Sequence, residues 1–378
     1  MDCLDVERSG IKAYWRGFLD RAIKQKIPLS GALELTRRCN LRCAHCYLGH
    51  GASRLVHPGE ELGTDRWLSL IDEMTAAGCL TLLLTGGEPL LREDFTSIYR
   101  RARENGLLVV VFTNGTLVTE DLLRLFQKFP PVEVEVSLYG ASATTFDRVT
   151  GMPGSYEQCM RGIKALLSNG IRVNLKTILM TLNHHELVDM ENMARELGVG
   201  FRFDSAITPC LNGDDSPLEL RVTPEEIVAR EMEDTSRRER WRKHYEKCKD
   251  ITLGNRLYGC SAGYTSFYVD ASGRIQPCQM TGDLGFDLFD GSFLEGWKKI
   301  TERIGDLKAE ADFACRDCKT INLCGYCPAF FRLETGRADI RSEFLCRIGE
   351  LRLSYIREKL TEGAKRERKS RADRKTTV

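Results

Sequence analysis

Several things are scarce in this chain of 378 residues. No apolar run approaches the 18 or so residues that span a bilayer, so no transmembrane helix is expected. The first residues, Met-Asp-Cys-Leu-Asp-Val-Glu-Arg, lack the basic and apolar blocks of a secretory signal. Charge of one sign is also lacking: 55 Lys and Arg face 54 Asp and Glu, a net charge of +1. A balance so close to zero gives no electrostatic case for nucleic acid or an anionic membrane surface.

Cysteine is what the chain has in quantity, 15 in all. In a secreted protein such a count suggests disulfides; in a long chain without a signal it points to metal in a reducing cytoplasm. Three cysteines lie close together in Cys39-Asn-Leu-Arg-Cys43-Ala-His-Cys46. They directly follow Ala32–Thr36, which reads as a strand. Three thiolates on one tight loop can hold three corners of a cubane cluster and leave one iron open. Zinc is the competing metal, but structural zinc takes four closed ligands.

Around this loop the pattern alternates regularly. Strand-like runs are 32–36, 80–84, 107–113, 132–138, 172–180 and 200–207. Helical patterns fill the intervals at 65–77, 93–104, 120–129, 155–168 and 185–197. Asn105-Gly106, Asn169-Gly170 and Leu197-Gly198 read as helix C-caps. Six strand–helix repeats predict an α/β fold with a parallel sheet and right-handed crossovers, enough to close most of a (β/α)6 barrel. Chemistry in such sheets gathers at the C-terminal strand ends, and the cysteine loop follows the first strand. The expected organisation is a helical lead-in over 1–30, the barrel over 31–208, a helical linker over 209–253, a cysteine-rich domain over 254–350, and a C-terminal helix with a basic tail over 351–378.

The second strand ends in Thr85-Gly86-Gly87-Glu88-Pro89. Glycines let a backbone approach closely, and a fixed carboxylate can accept from an ammonium. The C-x3-C-x2-C loop with Gly-Gly-Glu-Pro one strand later resembles the signature of the radical S-adenosylmethionine (radical SAM) enzymes. The resemblance implies a [4Fe–4S] cluster on Cys39, Cys43 and Cys46 whose open iron binds SAM. It further implies cleavage of SAM to a 5′-deoxyadenosyl radical. Gly86, Gly87, Glu88 and Pro89 then bind the SAM amino group. Asn114 and Ser137, at the ends of the third and fourth strands, lie near the adenosine, and Lys176 on the fifth points the same way. Relatives carry His-Asp-x-x-Arg-Gly where this chain has Phe146-Asp147-Arg148-Val149-Thr150-Gly151. Thr150 replaces the arginine, and Arg148 is the candidate substitute. His45 stands where the family has an aromatic beside the adenine. His184 and His185 read as surface residues at a helix start.

Downstream come Cys260, then Gly273 and Cys278, then Cys315-x2-Cys318-x5-Cys324-x2-Cys327, and finally Cys346. A zinc ribbon needs a longer gap between its pairs. The order resembles the SPASM extension of radical SAM enzymes, with one departure: two residues, not three, precede Cys327. By that resemblance Cys315, Cys318, Cys324 and Cys346 hold one auxiliary cluster. Cys260, Cys278 and Cys327 hold a second, with Cys248 or an open site as its fourth position. Three [4Fe–4S] clusters and SAM are thus the expected cofactors. Cys3, Cys79, Cys159 and Cys210 read as buried structural thiols. A hairpin is expected around Ser272-Gly273.

The implied activity is oxidative modification of a peptide: a cross-link, a thioether or a decarboxylation. Flavodoxin or ferredoxin is the expected electron donor. No winged leader-binding domain is read before residue 30, so a separate recognition protein is an expected partner. Alternatives are a sulfatase-maturing enzyme, an enzyme acting on a tetrapyrrole or quinone precursor, and a non-catalytic electron carrier. The last has no use for an open iron. Asp204, at the sixth strand end, is the one weak candidate for a general base.

Overall fold

The computed structural model describes residues 3–49, 61–253, 256–289, 291–310 and 312–358, with side chains from residue 14 onward. It comprises two compact units, Met1–Leu220 with Cys260–Leu307, and Arg221–Gly259 with Lys308–Val378. The chain passes from the first into the second and back, so each unit draws on segments distant in sequence.

In the first unit, helix α1 (Cys3–Gln25) leads into β1 (Ser30–Glu34). Strand and helix then alternate through α2 (Thr64–Ala76), β2 (Thr81–Thr85), α3 (Phe95–Glu104), β3 (Leu108–Thr113), α4 (Glu120–Lys128) and β4 (Glu133–Ser137). Two helices, α5 (Ala143–Thr150) and α6 (Ser155–Ser168), precede β5 (Val173–Ile178); α7 (Leu187–Glu196) precedes β6 (Gly200–Asp204). All six strands pair in parallel, in the order β6-β5-β4-β3-β2-β1. This is the α/β partial barrel that the repeats predict.

The two faces of the sheet differ in chemistry. Leu33, Leu82, Leu84, Val109, Val111, Val134, Val136 and Leu175 are all buried on the face that the helices cover. Each such side chain contributes about 1.5–3 kcal/mol on burial. The inward face carries Glu34, Phe112, Glu135, Lys176 and Arg202 among smaller residues. The three expected C-caps are present, with Gly106, Gly170 and Gly198 all at positive φ.

Some elements differ from the sequence expectation. β1 lies two residues earlier, because Thr36 leaves the ladder to bond Glu61. Helix α5 carries no long apolar repeat; it is set by its Ser142 cap, whose hydroxyl accepts from the Thr145 amide. The expected hairpin is there as β7 (Ser266–Val269) and β8 (Arg274–Gln276), turned around Gly273 at φ +88°. Its Asp270 carboxylate takes the amides of Ser272 and Arg274, both at 3.0 Å. β7 pairs in parallel with β1, so the hairpin and β9 (Phe286–Asp287) extend the barrel sheet to nine strands. Helix α10 (Phe293–Asp306) follows, opened by a capping box of Ser292 and Glu295.

The second unit contains α8 (Pro224–Glu233), α9 (Thr235–Cys248), α11 (Pro328–Thr335) and a helix over residues 343–358. The mixed-charge stretch 230–247 is helical and contains no fully buried residue in α9, as a solvated helix should. The basic tail expected over 361–378 lies outside the described residues.

Candidate active site

The three-cysteine loop is seated by backbone contacts from the end of β2 and the last turn of α5, and by a side chain at the end of β3. Thr36, fully buried, donates to Glu61 Oε1 at 2.7 Å and accepts from the Arg38 amide at 3.1 Å. Behind it run Gly86 and Gly87. A Cβ at Gly86 would lie 2.4 Å from the Thr36 carbonyl oxygen, and one at Gly87 would lie 2.4 Å from that of Arg38. The gap is closed by amide bonds, Gly87 N to Thr36 O at 2.7 Å and Glu88 N to Arg38 O at 2.9 Å. Here the glycines serve the approach of one backbone to another.

Glu88 is completely buried. Its oxygens accept from Thr113 Oγ1 at 2.8 Å, the Asn114 amide at 2.7 Å and the Leu90 amide at 3.2 Å. Burial pushes its pKa up to about 7, against the pull of those donors and the Lys176 charge. The carboxylate therefore ties the end of β2 to the end of β3. Asn114 continues the link: its Nδ2 donates to Asn40 Oδ1 at 2.9 Å and approaches Cys39 Sγ at 3.9 Å.

From the other side the last turn of α5 holds the loop. Arg42 N donates to Thr150 O at 2.7 Å and Ala44 N to Val149 O at 2.9 Å. Thr150, where relatives have arginine, turns its hydroxyl inward to Ser155 Oγ at 2.7 Å. Its contribution to the loop is a carbonyl. Arg148 is exposed on the same helix. The buried Cys210 thiol donates to the Cys46 carbonyl at 3.3 Å, beneath the loop.

The charges of all three thiols act on Tyr139. Burial raises its pKa well above the phenol value, and Cys43, Cys46 and Cys39 all add to the rise. The Tyr139 hydroxyl bonds Ser137, and its ring packs edge-on against His45 at 4.7 Å. Lys176 is paired in register with Ser137. Asp204 sits at the exposed edge strand, its Oδ1 accepting from the Ala206 amide at 2.9 Å. His184 and His185 form a short turn with no buried residue. Among the described residues no three His, Cys, Asp or Glu side chains close on a point for a single metal ion. A cubane asks for a different spacing, one thiolate per iron. Three half-buried thiols over a backbone cradle fit that group.

In the second unit Cys315 and Cys324 are buried, while Cys318 and Cys346 are half-buried. Burial raises the Cys324 thiol to about 12, with Cys346, Cys318 and Cys315 adding to the rise. Cys315 rises to about 11 for the same reasons, burial first, then Cys346 and Cys318. Four thiols of one unit whose charges act on one another fit a second cluster, whose iron would hold them as thiolates. Gly349 lets the helix 343–358 pass: a Cβ there would lie 2.8 Å from the Cys324 Cβ. Cys327 caps α11 in this unit, its sulfur accepting from Phe330 N at 3.4 Å. Cys248, at the end of α9, stands 3.9 Å from His244 Nδ1, and its carbonyl takes Asn322 Nδ2 at 2.6 Å. Cys260, exposed, and Cys278, half-buried, flank the β7–β8 hairpin in the first unit. Cys79 and Cys159 are buried; the side chain of Cys3 lies outside those described.

Comparison with known proteins agrees with this construction. The family model of the radical SAM superfamily matches residues 33–197. A protein of Methanosarcina barkeri named AdoMet-dependent heme synthase is 30% identical over 326 residues, 81% of this chain and 92% of that protein. The sporulation killing factor maturation protein SkfB of Bacillus subtilis is 27% identical, covering 82% of this chain and 74% of SkfB. In fold, the chain matches anSMEcpe, solved with AdoMet and a peptide, at a TM-score of 0.66 and 17% identity, over 90% of this chain and 99% of that one. It also matches Streptococcus suis SuiB bound to its precursor peptide at 0.65 and 15% identity, over 88% and 79%. The chain belongs to the radical SAM superfamily, in the branch whose barrel is followed by a SPASM-type cysteine region. It is an enzyme that uses a [4Fe–4S] cluster and SAM. No helix among the described residues is long and apolar enough to cross a membrane.

Proposed function

We propose that this enzyme oxidises a carboxylate-bearing side chain of a tetrapyrrole, releasing carbon dioxide. The observation that carries this reading is the near-complete match to the heme synthase of M. barkeri, which runs beyond the barrel. The tetrapyrrole alternative drawn from the sequence thereby moves ahead of the peptide. When bound, the first cluster with SAM supplies a carbon radical that accepts a hydrogen atom, and the auxiliary clusters supply one-electron transfer. The substrate change balances with those parts: a propionate loses one hydrogen atom, then carbon dioxide and one electron, and becomes a vinyl group.

The residues assigned to the cofactors are those of the sequence analysis. Cys39, Cys43 and Cys46 hold the SAM cluster, Cys315, Cys318, Cys324 and Cys346 one auxiliary cluster, and Cys260, Cys278 and Cys327 another. Gly86 to Pro89, Asn114, Ser137 and Lys176 surround SAM, with Glu88 and Asn114 acting by fixing the strand ends. Tyr139 and His45 shield the thiols from water.

A second reading keeps the peptide substrate expected from the sequence, because SkfB matches over as much of this chain as the heme synthase does. In that reading a separate leader-binding protein delivers the peptide. Flavodoxin or ferredoxin is the electron donor in both. The experiment is anaerobic: reconstituted enzyme, SAM and reductant with iron coproporphyrin III, then with short peptides encoded beside the gene, each analysed by mass spectrometry. Loss of carbon dioxide from the tetrapyrrole, with one 5′-deoxyadenosine per event, is expected. A mass change on a peptide alone establishes the second reading instead.

A further inference from the structure

The segment that carries Cys39, Cys43 and Cys46 is tied to the β7–β8 hairpin on both of its flanks. Before it, Arg37 donates from Nε to Glu34 Oε1 at 3.0 Å and from Nη2 to Asp270 Oδ2 at 3.2 Å. After it, the Tyr47 hydroxyl bonds the Tyr268 hydroxyl. Tyr268 in turn donates to Glu34 Oε2 at 2.6 Å. Glu34, the last residue of β1, thus takes one tie through each oxygen. Glu34, Tyr268 and Asp270 are all buried. Tyr268 gives its single proton to Glu34, so Tyr47 is the donor between the two hydroxyls. The donors run in one direction, Tyr47 to Tyr268 to Glu34, and the Arg37 guanidinium closes the chain from the other end. A buried carboxylate is costly without partners, and donors aligned in this way strengthen one another.

The hairpin end of this chain is firmly built. Tyr268 lies on β7 in register with Ala32, and Glu34 stands two residues further along the same face of β1. Asp270 Oδ1 accepts from the amides of Ser272 and Arg274 and from the Ser272 hydroxyl, while Oδ2 goes to Arg37. The Tyr47 backbone is held from the other side. The Leu211 amide, beyond β6, donates to the Tyr47 carbonyl at 2.8 Å, next to the Cys210 bond to the Cys46 carbonyl. Cys46 and Tyr47 are therefore suspended between the two ends of the six-strand barrel.

We propose that Glu34 and Tyr268 are positioning residues for the cluster of Cys39, Cys43 and Cys46, forming a strut through which the β7–β8 hairpin fixes the cluster loop. Cys260 and Cys278 flank that hairpin, so the strut joins the SAM-cluster loop to strands bearing thiols proposed for an auxiliary cluster. It serves a tetrapyrrole or a peptide substrate equally.

The test uses the full-length protein, reconstituted anaerobically with iron and sulfide. Two readouts are taken besides activity. One is the change that SAM produces in the electron paramagnetic resonance spectrum of the reduced protein, which reports the cluster with the open iron. The other is the rate at which a chelator strips iron. Asp270→Asn keeps an oxygen for the hairpin amides and sets an amide group against Arg37. It should speed iron loss at least about tenfold, as a charge-assisted contact is lost. Tyr47→Phe should speed it about two- to tenfold, the range of a neutral hydrogen bond. Tyr268→Phe should do at least as much, and adding Tyr47→Phe to it should change nothing more, because both cut the same link. All these variants should alter the SAM-induced spectrum. Tyr99→Phe is the control: it removes a buried hydroxyl bond on α3, Tyr99 to the Phe129 carbonyl at 2.6 Å. It should lower the melting temperature of the cluster-free protein but leave iron loss within about twofold of wild type, as expected of an independent site. If Tyr99→Phe strips as fast as the strut variants, general loosening is the cause and the proposal is wrong. It is equally wrong if Asp270→Asn and Tyr47→Phe hold iron and respond to SAM as the wild type does, or if the two tyrosine effects add. Should Tyr268→Phe fail to fold, Tyr47→Phe cuts the same link from the loop side and decides together with Asp270→Asn.

Discussion

Glu88 shows how a single carboxyl can set a strand end. It is fully buried and carries a pKa raised to about 7 by desolvation. Because the folded value lies above the ordinary 4.5, the folded state holds this proton more tightly than the unfolded chain does. Its contribution to stability is complete below about pH 4.5 and is lost as pH rises through about 7. A shift of this size is worth about 3 kcal/mol at most. Thermal unfolding of the cluster-free protein between pH 5 and 8 should therefore show a melting temperature that falls with pH. In Glu88→Gln that part of the slope should vanish, while baseline stability drops by about 1–3 kcal/mol as one amide faces a donor. An unchanged slope in the variant would assign the effect to other groups.

Gly87 makes the same point through space rather than charge. Its missing Cβ is what lets the β2 end meet the Arg38 carbonyl. Gly87→Ala should destabilise the first unit by about 1–3 kcal/mol, the ordinary penalty for overpacking against rigid backbone. It should also lower iron occupancy of the three-cysteine loop. Chemical denaturation with an iron assay checks both, and full iron loading in a stable variant would show that the backbone yields there.

Among the elements, the cysteine-bearing loops divide the metal load. If the ten proposed thiols hold three cubanes, anaerobic reconstitution should load about twelve irons per chain, four to each. Replacing Cys39, Cys43 and Cys46 together by alanine should remove about four and spare the rest, because the four thiols of the second unit are gathered by different segments. Iron and sulfide analysis with electron paramagnetic resonance would detect a collapse to none, which means the units do not load independently. Cys278→Ala addresses the hairpin. It should retain 5′-deoxyadenosine formation, since the loop after β1 is intact, while product falls more steeply. Comparing the two yields separates an electron-accepting cluster from a structural one: a parallel decline points to structure alone.

The second unit contains a buried ion pair between Arg352 and Glu231. Arg352 donates to both oxygens of Glu231, at 2.8 and 2.5 Å, and to the Leu323 carbonyl, with its guanidinium 4.1 Å from the Trp241 ring. Both partners are buried. Removing one leaves an uncompensated charge, so Arg352→Met should destabilise this unit by about 3–5 kcal/mol, whereas replacing both partners by apolar residues should cost much less. Calorimetry on the single and double variants measures the difference. Equal losses would mean the packing, not the stranded Glu231, dominates.

By itself the sequence determined the parallel sheet, the helix caps, the first cysteine loop and the Gly-Gly-Glu-Pro turn. These are local patterns: the helix period, the continuous apolar strand and the glycine stop each lie within a dozen residues of chain. The grouping of Cys315, Cys318, Cys324 and Cys346 was implied by family resemblance, and all four fall in the second unit. Tertiary structure alone decided what depends on contacts between distant segments. Thr150 reads as a lost arginine, yet its carbonyl seats the loop that begins more than a hundred residues earlier. Glu88 reads as a ligand group, and only the fold shows that its side chain also bonds the end of the next strand. β7 has no period that announces a partner; it joins β1 because the sheet edge there is open and parallel pairing completes it. The cluster on the inward face was equally hidden, since Phe112, Glu135, Lys176 and Arg202 are single residues on four strands. Only folding brings them to one wall, because side chains of adjacent parallel strands in register share a face.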